Sequence, residues 1–286
     1  MNKYLSPAKI NWFLHITGRR DDGYHSLQTV FQRIDWCDEL LIAPRHDSVI
    51  TLQGDLSGVP EHKNLAYRAA SALREYVGRD ALGATIVLSK NIPTGAGLGG
   101  GSSNAATVLN ALNNLWQLNL PNIELQKIGL QLGADVPFFV SGLNAAFASG
   151  IGEILTPIDL PTRPLLLVNP NVHVATAAVF NHPELIRNHA HLSLTMDELS
   201  HLLNQPNADP PLTNDLEKAT FALSTDVQAV YHTLNTLAPD ACVRMSGSGA
   251  TVFAAPTDDA QWYALEQWRL QCTEQWQVLW VNTQSN

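Results

Sequence analysis

Five of the seven residues from 95 to 101 are glycine, within the run Pro93-Thr94-Gly95-Ala96-Gly97-Leu98-Gly99-Gly100-Gly101-Ser102-Ser103-Asn104. A stretch so poor in Cβ atoms is costly inside a helix or strand, so it reads as a loop whose backbone approaches another group closely. Directly behind it, Ser102, Ser103 and Asn104 offer N-cap side chains to a helical run that reaches Leu112. A glycine loop feeding a helix N-terminus presents unpaired N–H groups and the positive end of a dipole, which together cradle phosphate. A tightly packed turn is the plainer alternative, and the helix start directly behind the glycines speaks against it.

Two common phosphate loops fail here. A P-loop places Lys and then Ser/Thr after its last glycine, but Gly101 is followed by Ser102. Gly95, Gly97 and Gly100 do satisfy G-x-G-x-x-G, yet a dinucleotide fold needs an acidic residue at the end of the next strand. The only nearby acid, Glu124, follows Pro121 at the start of a helix.

The 286 residues carry 17 basic and 26 acidic side chains, a formal charge of −9. That balance argues against a general nucleic-acid binder, which needs a basic face, but leaves room for a local basic pocket. Cys37, Cys242 and Cys272 are odd in number and widely spaced, as in a reduced cytoplasmic protein. No apolar h-region precedes Arg19, Arg20, Asp21 and Asp22, and no apolar run is long enough to span a bilayer. The expectation is a soluble, cytoplasmic, globular protein with no membrane or nucleic-acid partner.

Apolar or alternating runs at 9–16, 29–34 and 39–43 predict strands, separated by a turn-rich stretch at 18–23. Leu65, Ala69, Leu73 and Val77 recur at helical spacing, and 83–88 reads as a strand. A helix near 123–132 is expected to be broken by Pro137. Pro157, Pro161 and Pro164 mark a connection, after which 165–168 looks like a buried strand opening a second unit. Helices follow at 196–203, 215–223 and 227–237, then a strand–loop–strand over 241–254, a helix at 259–271 and a strand at 278–281. Residues 204–212 predict a surface loop. No repeat is visible, and strands and helices mix without a regular βαβ cadence, so the fold class is α+β in two lobes.

Three segments in order carry a family likeness. Pro93 to Asn104 resembles the second motif of the GHMP kinases, Val243-Arg-Met-Ser-Gly-Ser-Gly-Ala-Thr-Val252 their third, and Pro7-Ala-Lys-Ile-Asn11 their first. Arg20-Asp-Asp-Gly-Tyr-His-Ser-Leu-Gln-Thr-Val-Phe31 and Leu132-Gly-Ala-Asp-Val-Pro-Phe-Phe139 are similar to the branch acting on a cytidine diphosphate-linked methylerythritol in non-mevalonate isoprenoid synthesis. The likeness covers essentially the whole chain and is loosest over 181–214. It implies a two-lobed fold: a ribosomal-protein-S5-like N-terminal lobe (1–156) and a ferredoxin-like C-terminal lobe (157–286), with ATP and substrate in the cleft between them.

By the same likeness Asp135 is the carboxylate that holds the attacking hydroxyl and takes its proton, and Lys9 is its cationic partner. Read alone, Asp135 is equally a turn cap and Lys9 an edge lysine. Pro93, Thr94, Gly95, Ala96, Gly97, Leu98, Gly99, Gly100, Gly101, Ser102 and Ser103 are implied to wrap the ATP phosphates, with Asn64, Leu65 and Lys90 lining the adenine pocket. Ser246, Gly247, Ser248 and Gly249 would floor the cleft. Tyr24 and Phe31 would stack on cytosine, His25 would hydrogen-bond its edge, and Asn11, Thr176 and Phe180 would complete the substrate side. Mg²⁺ is expected with ATP, without an assigned protein ligand beyond a Ser103 hydroxyl, and the oligomeric expectation is a monomer or weak homodimer.

Other features read as structure. Asn188-His-Ala-His191 has no spaced cysteine and reads as a solvated loop; Trp262, Trp268, Trp276 and Trp280 read as packing; Cys242 reads as a small buried hydrophobe. No Gly-x-Ser-x-Gly elbow supports a serine hydrolase. Two alternatives remain open: a GHMP kinase for a sugar, homoserine or mevalonate-type alcohol, and a nucleotide-binding GHMP-fold protein without catalysis.

Overall fold

The first apolar run lies inside an 18-residue strand, β1 (Asn2–Arg19), and a turn closed by Arg20 N–H to Tyr24 O at 2.8 Å leads into β2 (His25–Arg45). This is a computed structural model, and it describes residues 1–55, 58–203, 205 and 212–286. The two strands expected at 29–34 and 39–43 are one. β2 stays extended through its polar middle because each half has its own partner, so the ladder is satisfied on both sides of residues 35–38.

The remaining elements follow in chain order. They are β3 (Ile50–Gly54), α1 (Leu65–Val77), β4 (Gly83–Ser89), α2 (Gly100–Leu115), α3 (Asn122–Leu132) and α4 (Val136–Ser141). Then come β5 (Ala145–Ser149), β6 (Ile154–Pro157), β7 (Pro164–Asn169), α5 (Thr176–Asn181), α6 (Met196–Leu203), α7 (Glu217–Leu223) and α8 (Thr225–Leu237). β8 (Cys242–Met245), β9 (Val252–Ala255), α9 (Asp259–Gln271) and β10 (Gln277–Asn282) complete them.

Two compact units are interleaved along the chain. The first comprises Met1–Ala8, Trp36–Thr94 and Gly99–Leu143, the second Lys9–Asp35, Gly95–Leu98 and Asn144–Asn286. This division by compactness is a different cut from the lobe boundary at 156/157, which we propose on the resemblance alone. In the first unit the distal half of β2 pairs antiparallel with β4, and β3 runs parallel to β4. Helices α1 to α4 pack together, and the Trp116 indole donates to Gly83 O at 3.0 Å, tying α2 to β4. In the second unit the proximal half of β2 pairs with β5, and β5 with β6. A separate antiparallel sheet, ordered β10-β7-β9-β8, buries Leu166, Val168, Val243, Val252 and Ala254 against α8 and α9.

Several boundaries differ from expectation for local reasons. α2 starts at Gly100 with left-handed Gly99 (φ +69°) as its N-cap, not at Ser102, because Ser103 and Asn104 turn inward to hydrogen-bond Ser6. α3 ends at Gly133, four residues before Pro137, and Pro137 instead sits in the first turn of α4, where its missing N–H costs nothing. Of the loop expected at 204–212, only Gln205 and Leu212 fall within the described residues. Trp268, Trp276 and Trp280 pack on the second core, and Trp262 stacks on Trp280 at 5.6 Å. No disulfide joins Cys37, Cys242 or Cys272, and among the described residues no helix is long and apolar enough to cross a membrane.

The histidine segment is not simply solvated. His189 is half-buried, stacks on His15 at 3.5 Å and lies 3.1 Å from the Asp215 carboxylate, because β1 offers Ile16 O to its N–H. His15 is fully buried and accepts from Thr213 N–H through Nε2, so it is held neutral. Burial, with His189 and Arg244 adding repulsion, lowers its pKa from 6.5 to about 3. A base with a depressed folded pKa stabilises the fold above pH 6.5 and loses that contribution as pH falls toward about 3. Chemical denaturation from pH 8 to pH 4 should show a loss on the order of a few kcal/mol that His15→Gln reduces, the difference between the two curves isolating His15. Identical curves would remove His15 as its source.

Candidate active site

The glycine loop is held by its carbonyls. Ala96 O accepts from Thr251 N–H at 3.2 Å, and Leu98 O from Lys9 N–H at 3.0 Å. Gly97 O accepts from both Lys9 Nζ (3.0 Å) and Ser246 Oγ (2.9 Å). A trans peptide aims its N–H opposite its C=O, so fixing these carbonyls turns the amides of Gly97, Leu98 and Gly99 the other way. Positive φ at every second residue, Gly95 (+71°), Gly97 (+75°) and Gly99 (+69°), is the alternation that gathers successive N–H groups into an anion-binding nest.

Lys9 is 3% exposed. Its ammonium donates to Asn11 Oδ1 at 2.6 Å as well as to Gly97 O, and lies 5.2 Å from the Phe31 ring centroid. Asn11 is oriented in turn by Nδ2–H to Thr29 Oγ1 at 2.8 Å, and its own N–H reaches Ser246 Oγ at 3.3 Å. Lys9 and Asn11 are two apart on β1, so the strand's period of two puts both on one face. Phe31 is 2% exposed and its ring lies beneath this ammonium.

The loop 246–249 lies against residues 95–98 with no room for side chains. A Cβ on Gly97 would stand 2.0 Å from Ser246 O. Ser248 Oγ is 2.9 Å from Thr176 Oγ1 at the start of α5, and Phe180, one turn on, faces His25 at 5.2 Å between centroids. Thus Lys9, Asn11, Phe31, His25, Thr176, Phe180, residues 95–98 and the 246–249 loop all fall within the second unit. Tyr24 is exposed at the turn before β2. Burial, with Arg187 and Arg19 adding repulsion, holds the His25 pKa below the usual histidine value, which keeps the ring neutral at physiological pH.

The first unit holds the rest. Ser103 is buried and its hydroxyl accepts from Ser6 Oγ at 2.8 Å, so the oxygen expected near Mg²⁺ is already engaged. Ser102 is partly exposed in the first turn of α2, 3.7 Å from where a Gly133 Cβ would stand, which brings the 133–135 loop beside this helix start. Asp135 is at the N-cap position of α4 but makes no side-chain capping bond, so capping does not account for it. Lys90 is ion-paired to Asp38 and reaches Asn104 Oδ1 at 3.4 Å. Asp38, fully buried, also accepts from Asn91 N–H, Ile92 N–H and Asn104 Nδ2, so this pair braces the strand end from which the glycine loop departs. Asn64 caps α1 through Oδ1 to Ala66 N–H, and Leu65 lies 3.5 Å from a Gly101 Cβ position.

Residues 64–143 match the family described as GHMP kinases N terminal domain. A 4-diphosphocytidyl-2-C-methyl-D-erythritol kinase of Paraburkholderia xenovorans (strain LB400) is 48% identical over 262 residues, covering 92% of this chain and 88% of that protein. One from Burkholderia thailandensis (strain ATCC 700388 / DSM 13276 / CCUG 48851 / CIP 106301 / E264) is 49% identical over 88% of this chain and 84% of its own length. The chain belongs to the 4-diphosphocytidyl-2-C-methyl-D-erythritol kinase family of GHMP kinases. A crystal structure of a 4-(cytidine 5'-diphospho)-2C-methyl-D-erythritol kinase covers both chains fully with TM-score 0.79 at 34% identity. A mevalonate kinase structure, at TM-score 0.69 and 14% identity, shares the fold.

Sequence reasoning gave no supporting role to Asp38, Asn104, Thr29 or Ser6. Asp38 fell in the gap between the strands expected at 29–34 and 39–43, and Asn104 was read as a helix cap, whereas it bonds Ser6 and Asp38; Thr29 and Ser6 had no signal, since either is ordinary in a strand. For this family member, Gly97→Ala should weaken ATP binding by at least about 10-fold, because the Cβ is barred both by φ and by the facing carbonyl. Calorimetric titration with ATP checks it, and unchanged affinity in a folded variant would remove the loop from the nucleotide site.

Proposed function

We propose that this protein transfers the γ-phosphoryl group of ATP to the 2-hydroxyl of 4-diphosphocytidyl-2-C-methyl-D-erythritol, giving the 2-phosphate and ADP in non-mevalonate isoprenoid precursor synthesis. The observation that carries the reading is 48% identity sustained over 92% of the chain with a kinase of that name. The phosphate loop supports it, since its outward amides suit polyphosphate and its glycines leave the space a bound nucleotide needs.

In this mechanism the amides of 97–99 and the α2 N-terminus hold the ATP phosphates. The Lys9 ammonium, buried and aimed by Asn11, offsets charge on the phosphoryl group in transfer. Asp135 orients the acceptor hydroxyl and takes its proton, whether early or late along a largely dissociative path. His25, with Phe180 and exposed Tyr24, receives the cytosine ring, and Thr176 completes the acceptor side. Among the described residues no group of three or more His, Cys, Asp or Glu could hold a metal ion. Mg²⁺ would lower the charge of the β- and γ-phosphates and would enter with ATP.

ADP release should follow addition of ATP, Mg²⁺ and the cytidine acceptor, and stay at background with galactose, homoserine or mevalonate. Turnover with one of those alcohols instead would keep the fold and discard the acceptor pocket. Asp135→Asn should retain ATP binding and lose at least ~10²-fold in kcat, the scale of a positioned acid–base group. Near-normal turnover in that variant would refute its role.

A further inference from the structure

The loop 246–249 holds Gly97 through Ser246 and meets Thr176 through Ser248, and it is closed by Gly249 N–H to Ser246 O at 3.0 Å and Ser246 N–H to Thr251 O at 2.9 Å. Its remaining backbone groups are restrained from one short stretch, residues 214–220. Asn214 Nδ2 donates to both Met245 O and Gly247 O, each at 2.8 Å. Glu217 Oε1 accepts from Met245 N–H at 2.9 Å, and Thr220 Oγ1 donates to Ser248 O at 3.3 Å. Four backbone groups within four residues are thus tied to three side chains. Asn214 is 3% exposed, and its Oδ1 accepts from Leu216 N–H, so both hydrogens of its amide are committed to the loop.

The stretch is itself fixed to β1. Asp215 N–H donates to Leu14 O at 2.8 Å and its carboxylate accepts from Ile16 N–H at 2.7 Å. β1 also carries Lys9 and Asn11, so strand, clamp, loop and ammonium form a closed ring of hydrogen bonds within the second unit.

We propose that Asn214, Glu217 and Thr220 are positioning residues for phosphoryl transfer, setting the height of the 246–249 loop and through it Gly97, Lys9 and Thr176. The inference rests on the kinase reading above. Because the clamp acts on geometry at the reacting groups, its loss falls on kcat and on the acceptor side, where a small displacement is expensive.

Glu217 adds a signature. Burial pushes its carboxyl up to about 7, opposed by the Met245 N–H and Arg244 and reinforced by Asp215. Tyr231 of α8 and Cys242 of β8 couple to Glu217 and Arg244, His15 of β1 to Arg244, and His189 to Asp215. Below about pH 7 it takes a proton and the charge-assisted bond to Met245 N–H weakens.

The test is steady-state kinetics with ATP and the cytidine acceptor, beside thermal melting and ATP titration. Asn214→Asp keeps the size but removes both donors, and kcat should fall by about 10-fold or more with ATP affinity unchanged. Thr220→Val should lower kcat by about 5-fold, with Thr220→Ser restoring it. Glu217→Gln, which keeps the acceptor oxygen, should lose the acidic limb near pH 7 that the wild type shows. Where Asn214→Asp fails to fold, the Thr220 pair decides. Folded variants with lowered melting temperature but unchanged kcat, KM and pH profile would overturn the clamp as a positioning device. A wild type silent toward the cytidine acceptor would overturn the kinase reading, and this inference with it.

Discussion

A buried ammonium group is the constraint on which the second unit's arrangement depends. Taking Lys9 out of water costs several kcal/mol unless its donors are met, and the fold meets them with a backbone carbonyl, an amide oxygen and an aromatic face. Each partner demands something further. Gly97 O can reach the ammonium only if residue 97 adopts positive φ and has no Cβ. Asn11 can present Oδ1 only if its nitrogen is occupied elsewhere, which Thr29 does. Phe31 must lie flat beneath, which places the proximal half of β2. One buried charge therefore dictates a glycine, an asparagine, a threonine and a ring at positions far apart in sequence.

In the first unit the comparable centre is Asp38. A carboxylate with no exposed surface is tolerable because its oxygens accept from two backbone amides, an asparagine and a lysine. Its two amide donors, Asn91 and Ile92, immediately precede Pro93, so the entry to the glycine loop is stapled to β2. Asn104, on α2 just beyond the loop, joins the same carboxylate. The entry to the glycine loop and the helix just beyond it are thus braced by one carboxylate on β2, a sensible way to rigidify the flanks of a segment rich in conformationally permissive glycine.

Much of this was legible in the sequence. Helical spacing marked α1, α6, α8 and α9, and continuous apolar runs marked β4 and β7, the latter buried on both faces from Leu165 to Asn169. What escaped had no periodic signal. α5 is six residues between loops, and β5, Ala-Ala-Phe-Ala-Ser, is too short and too small-residued to stand out. The start of α2 was misplaced because serine caps are common, whereas here Gly99 reaches the left-handed cap and Ser103 is needed inside. The glycine segments, Lys9 and Asp135 stood out through family motifs. Their supports did not: Thr29, Ser6 and Asn214 act through partners that only folding brings near.

The division between backbone and side chain bears on how one fold tolerates wide sequence change. In the proposed mechanism, phosphate handling falls largely to main-chain groups, carbonyls held inward and amides turned outward, and such groups tolerate sequence change so long as the glycines remain. The proposed acceptor side rests instead on individual side chains, His25 and Tyr24 at one turn and Thr176 and Phe180 on one short helix. A fold shared at 14% identity with a mevalonate kinase is what that arrangement permits. The architecture is kept by strand pairing and close backbone approach, while the residues proposed to face the acceptor lie at a strand start and on a six-residue helix, where exchange disturbs little of the core.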